Sequence, residues 1–208
     1  MGHPSDPRFL VLHGLRLKGF GEPPAIGAAV GLDADAVEEQ LPELAEEELV
    51  VRRDGRLAGW SLTREGRTRQ QQLAAEELAE TGTAGGVRAA YQRFLDVNGE
   101  LLSVCTDWQV RGGTLNDHTD VRYDGNVLDR LRAVESTVQP IVADLSGLLE
   151  RYAPYGPRFS GALDRVVAGD QEYFTKPIID SFHTIWFELH EDLLTSLGIE
   201  RSQEGARS

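Results

Sequence analysis

The chain has 208 residues, a formal charge of −13 and 40% hydrophobic residues. That is room for one domain or two small ones and enough apolar material for a core, which excludes a disordered polymer. The acidity argues against a protein that coats nucleic acid, since phosphate repels an acidic surface, but it allows a locally basic edge. A single cysteine, Cys105, excludes an internal disulfide and a multi-cysteine zinc site. Apolar runs are only a few residues long, too short to cross a membrane. The first residues lack the basic and apolar stretches of a signal peptide, so a cytoplasmic protein is expected.

Taken in order, Phe9, Leu10, Leu12, Leu15, Leu17 and Phe20 predict an apolar helix ending at Gly19 or Gly21. Pro23 and Pro24 suit the start of a second helix, with Ile26, Ala29 and Val30 turned inward and Gly31 ending it. Asp33 is placed to cap a third, along which Val37, Leu41, Leu44 and Leu49 recur at roughly helical spacing. Pro42 is expected to interrupt that helix. Asp54-Gly55, between the strand-like runs Val50–Arg53 and Leu57–Leu62, predicts a hairpin. Thr63 then caps a helix from Arg64 to about Leu78.

Helix, helix, helix, hairpin, helix is the order of a winged helix-turn-helix. The stretch from Ala25 to Arg69 carries the resemblance, and the run GWSLTREGR, Gly59 to Arg67, is similar to the second wing strand and following helix of MarR-like regulators. The resemblance covers about a third of the chain. It implies a DNA-reading third helix and a wing that reaches flanking phosphate or minor groove. By position, the reading helix runs from Ala34 to about Gln40, and the DNA-binding residues would be Gln40, Arg52, Arg53, Arg56 and Arg64. Arginine suits a wing because it pairs with phosphate and fits a narrow minor groove. The third helix departs from that pattern. Its outward positions are Asp35, Glu38 and Glu39, with Glu43, Glu46, Glu47 and Glu48 following, and Met1 to Gln70 holds nine Arg or Lys against twelve Asp or Glu. Several carboxylates together repel phosphate.

Three glycines in Thr81–Gly86 mark a flexible connection. They divide the chain into a winged helix-turn-helix over 8–80 and a helical bundle over 84–200. In the bundle, a helix is expected over Val87–Trp108, then a loop from about Arg111 to Gly125. A second helix is expected over Asn126–Tyr152, a third over Arg158–Gln171, and a fourth from Pro177 to Leu197 that includes Ile178. The second carries Val127, Leu131, Val134, Val138, Ile141, Leu145, Leu148 and Tyr152 at alternating spacings of four and three, a heptad stripe that asks for a partner and so predicts a homodimer. Pro140 falls inside it.

A candidate ligand pocket follows from the aromatics concentrated in this half: Tyr91, Trp108, His183, Trp186 and His190. His183 and His190 lie two turns apart and cannot share one ion without ligands from other helices, so no metal site is assigned. The sequence names no cofactor. Phosphate-loop, nucleophile-elbow and zinc-protease motifs are absent, Cys105 sits at an apolar helical position, and the acidic loop Asn116–Asp120 fits turns and caps better than a calcium loop. No enzyme is expected. The leading expectation is a MarR-like, homodimeric transcription regulator that binds duplex DNA, with a helical domain for dimerisation or a small-molecule effector. The alternative is a winged-helix protein–protein interaction module that has lost DNA binding through its acidic third helix. A basic stripe joining Arg16, Lys18, Arg52, Arg53, Arg56, Arg64 and Arg67 would favour DNA, and carboxylates over that face would favour protein.

Overall fold

The computed structural model describes residues 2–55 and 58–200. The protein is mainly helical, with a small antiparallel two-stranded sheet. Among the described residues, no helix is long and apolar enough to cross a membrane.

By contacts the chain divides into two units, one of Met1–Arg88, Leu145–Pro154 and Glu188–Ser208, the other of Ala89–Asp144 and Tyr155–Phe187. This differs from the expected division into 8–80 and 84–200. Within Thr81–Gly86 the connection between helices is short, Gly82 and Thr83. Gly82 takes the left-handed conformation that ends one helix, and the next begins at Ala84, so Gly85 and Gly86 lie in its first turn.

The first unit opens with α1 (Pro7–Lys18), capped by the Asp6 side chain on the Phe9 amide and ended at Gly19. α2 (Pro23–Val30) starts on two prolines, whose missing N–H groups cost nothing in a first turn. α3 (Ala34–Glu46) runs through Pro42 without a break, which corrects the expected interruption. β1 (Val50–Arg53) and β2 (Gly59–Leu62) pair antiparallel, Val50 opposite Leu62 and Arg53 opposite Gly59. Gly21, between α1 and α2, bridges Trp60 as a short third edge. α4 (Arg64–Thr81) begins where Thr63 Oγ1 accepts the Gly66 amide at 2.9 Å. Val11, Leu12, Leu15, Ile26, Val37, Leu41, Leu44, Val50 and Leu62 form one core. The expected inward residues of α2 and α3 are buried, and in α1 Phe9, Leu10, Leu12, Leu15 and Leu17 are buried while Phe20 lies beyond the helix and exposed.

The second unit contains most of α5 (Ala84–Gln109), the miniature hairpin β3 (Val110–Arg111) and β4 (Thr114–Leu115), and most of α6 (Val121–Leu148). It also holds α7 (Tyr155–Val167), α8 (Glu172–Thr175) and the start of α9 (Phe182–Leu197). The hairpin replaces part of the loop expected from Arg111. Gly112 and Gly113 both have positive φ, the geometry of a two-residue hairpin turn. α6 starts earlier than expected and stops at Leu148, because Leu149 is extended and a 3₁₀ turn follows over Glu150–Tyr152. The expected helix over 158–171 is α7, shifted toward the N-terminus, plus α8. The fourth begins at Phe182 rather than Pro177, and Ile178 is exposed with φ 74°.

The heptad stripe of α6 is covered within the chain itself. Val127, Leu131, Val134, Val138, Ile141 and Leu145 are all buried in the monomer. The stripe therefore asks for no second subunit, and the argument from it for a homodimer falls.

Candidate functional site

Along α3, Val37, Leu41 and Leu44 are buried, which turns Asp35, Glu38, Glu39, Glu43 and Glu46 to solvent. Asp35, Glu39 and Glu46 are separated by four and seven residues and so share one stripe. Glu47 and Glu48 extend it past the helix end. Gln40 is half-buried at the edge of this face.

Three of the cations that would make a nucleic-acid edge, Arg16, Lys18 and Arg52, are engaged with carboxylates. Arg52 reaches Glu22, Nη2 to Oε1 at 3.2 Å, and lies 5.8 Å from the centre of the Trp60 ring. Arg16 donates to Glu191 at 3.0 Å from Nε and 2.7 Å from Nη2, and Lys18 lies 2.8 Å from Glu188. Arg8 pairs with Glu43 and Glu47. Arg53, Arg64 and Arg67 are exposed and make no ion pair among the described residues. Arg56 lies outside the described residues.

Two residues of the predicted ligand pocket, Trp108 and Trp186, are packed against rings of their own unit. Trp108 stacks on Phe174 at 4.6 Å. Trp186 stacks on Phe94 at 4.6 Å and donates Nε1–H to Asn98 Oδ1 at 2.9 Å. Tyr91 is buried. His183 is half-buried and burial lowers its pKa. His190 is half-buried in the first unit. The cleft that the first unit does contain is lined by none of these five. Among the described residues, no group of three or more His, Cys, Asp or Glu side chains converges as a metal site.

The acidic loop before α6 is spent on turns. Asp120 Oδ1 accepts the Arg122 and Tyr123 amides at 3.1 and 3.0 Å, capping α6. Asp117 Oδ1 accepts the Thr119 hydroxyl and amide, and both carboxyls are held below their ordinary range by these bonds. Asn116 Nδ2 donates to Asp124 Oδ1 at 2.9 Å, and His118 Nδ1 lies 3.1 Å from Asp124 Oδ2. Burial pushes the Cys105 thiol up to about 12, so it is no thiolate at neutral pH.

The sequence reading missed a buried ion network in the first unit. Arg151, from the 3₁₀ turn, is fully enclosed. It donates Nε–H to Glu77 Oε2 at 2.9 Å, Nη1–H to Asp192 and Nη2–H to Ser196 Oγ at 2.8 Å, with its guanidinium 4.4 Å from the Tyr152 ring centre. His13 sits beside it, Nε2 3.1 Å from Asp192 Oδ1. Gln70 Nε2 lies 2.9 Å from His13 Nδ1, and Arg151 Nη1 lies 3.1 Å from His13 Nε2. Burial would raise the Asp192 pKa, but Arg151 and then His13 outweigh it and hold the carboxyl well below the usual range. Burial likewise acts to lower Arg151, and Asp192, Tyr152 and Glu77 outweigh it and hold the guanidinium charged. A signal was present. Asp192 lies on the same stripe as the buried Leu189, Leu193 and Ser196, where a carboxylate is stable only with a buried partner.

No family model matches this chain, no curated protein matches it, and no solved structure matches it.

Proposed function

We propose that α1 to α4 with the hairpin form a winged helix-turn-helix that docks a basic protein partner through α3. The element order and the Gly21–Trp60 bridge, which adds the short third strand of a wing sheet, support the winged-helix reading. The observation that carries the functional reading is the exposed carboxylates of α3, Asp35, Glu38, Glu39 and Glu46, which make no ion pair among the described residues. Such a face repels phosphate and attracts lysine and arginine. The second reading, a DNA-binding regulator, is favoured by Arg53, Arg64 and Arg67, which remain exposed and unpaired among the described residues.

Fluorescence anisotropy with two probes separates them. One is a labelled Lys/Arg-rich peptide, the other a labelled duplex of mixed sequence, both at low salt, where charge contacts are strongest. The peptide binds and the duplex does not. Glu38→Lys/Glu39→Lys/Glu46→Lys weakens peptide binding by about 10-fold or more, as expected when rim charges that steer a partner are reversed. Glu80→Lys/Asp96→Lys/Asp164→Lys, with the same change in net charge on exposed sites elsewhere, has a much smaller effect. Saturable duplex binding by the unmodified chain, or equal losses in the two triple variants, would overturn the docking reading.

A further inference from the structure

The first unit holds a cleft of about 680 Å³, the size of a site for a small organic molecule. Its origin is legible in α4. Gln71, Ala75, Leu78 and Ala79 fall on one stripe, and the alanines leave space where larger side chains would close the helix against its neighbours. Leu194 and Leu197, near the end of α9, supply the opposite apolar wall. Ala84 and Arg88, from the start of α5, and Arg16 of α1 complete it.

Three features give the cleft a chemical preference. The start of the 26-residue α5 opens on it, and first-turn amides of a helix lack carbonyl partners within that helix and carry partial positive charge. Arg88 is exposed and makes no ion pair among the described residues. Thr195 is 93% buried on the residue scale, being 7% exposed, and its Oγ1 has no hydrogen-bond partner although the residue lines the cleft. A buried hydroxyl without a partner costs stability unless something meets it.

Two carboxylates also line the cleft. Glu191 is held by Arg16 at 2.7 Å, and Glu200 lies exposed at the rim. The α9 end would favour a cation, but it is turned back on itself: Ile199 N donates to Leu194 O at 2.9 Å and Gly198 N to Thr195 O at 3.2 Å, which satisfies two of its last carbonyls.

We infer that this cleft binds a small amphipathic carboxylate, with its apolar body against Leu78 and Leu194 and its anionic end at Arg88 and the start of α5. The inference does not depend on the partner proposed for α3, which is a separate surface of the same unit.

The test is calorimetric titration of the full chain with three probes that share one alkyl body: decanoate, decanol and decylammonium. Decanoate binds tightest and decylammonium weakest. Arg88→Gln weakens decanoate by roughly 10- to 100-fold, the loss expected for one charge-assisted hydrogen bond, and leaves decanol nearly unchanged. Ala79→Trp, at an exposed position that fills the cleft without entering the core, removes binding of all three. The inference is overturned if no probe binds at about 1 mM, a concentration that detects even a weak site. It is also overturned if the three bind alike, or if Ala79→Trp binds decanoate as well as the unmodified chain. Circular dichroism of both variants shows that they retain the helical fold.

Discussion

Arg151→Met is expected to cost about 3–5 kcal/mol of folding stability at pH 7, the range for removing one partner of a buried ion pair. The guanidinium is enclosed and serves Glu77, Asp192 and Ser196 at once. Methionine fills much of the same volume but leaves two carboxylates facing each other's field with no cation between them. Urea denaturation followed by circular dichroism measures the loss, and a change under about 1 kcal/mol would mean the network contributes no more than a surface pair.

The pH dependence should also weaken. In the unmodified chain the folded-state pKa of Asp192 lies below its unfolded value, so its contribution is present above about pH 4 and is lost as pH falls further. In Arg151→Met the largest opposing charge is gone while burial remains, so that pKa moves up from its value in the parent, with His13 still acting against burial. The variant therefore loses less stability than the parent as pH falls below about 4. Asp192→Asn keeps the shape and removes this titration. Its acid-side loss should be smaller than the parent's, with the lowered carboxyls of Asp117 and Asp120 supplying part of what remains.

This network and the α3 face differ in how far the sequence reveals them. The caps and turns are local. Pro23-Pro24, Asp54-Gly55 and Thr63 each act within a few residues, and α2, the hairpin and α4 fall where those residues place them. The carboxylate face of α3 is local too, because a helical period and three buried apolar residues fix its direction. Arg151 is different. Its partners stand 41, 74 and 138 residues away, and no spacing rule links Asp192, Glu77 and His13 to it. The same distance effect explains the aromatic residues. Their clustering in the second half reflects ring-on-ring packing, Phe94 with Trp186 and Trp108 with Phe174, whereas the cleft is lined by residues of α1, α4, α5 and α9 that stand far apart in the chain. The α6 stripe misled for a related reason. A heptad reports that a face is buried, and it does not say whether the cover comes from the same chain.

Gly66→Ala is the second large effect, and it reads the packing of α4 on the turn before β1. A Cβ built at Gly66 would stand 1.9 Å from the Leu49 carbonyl oxygen, far inside any allowed contact. That oxygen cannot swing away. It accepts the Thr63 amide at 3.0 Å, and Thr63 Oγ1 lies 3.2 Å from it while accepting the Gly66 amide. Moving either partner breaks the α4 cap or the junction that follows β2. Alanine favours a helix over glycine by about 1 kcal/mol, but the clash is with backbone, so a net loss of at least about 3 kcal/mol is expected, at or above the usual upper limit for one added methyl group. Gly85→Ala makes the control. It lies in the first turn of α5 with nothing within 4 Å of the added carbon, and it is expected to gain about 0.4–1 kcal/mol by narrowing the unfolded ensemble. Opposite signs for one chemical change at two helical glycines would locate the cost in the Leu49 carbonyl. Equal effects would show that α4 can shift off the hairpin, and the face that α3 presents beside it would then not be held in one position.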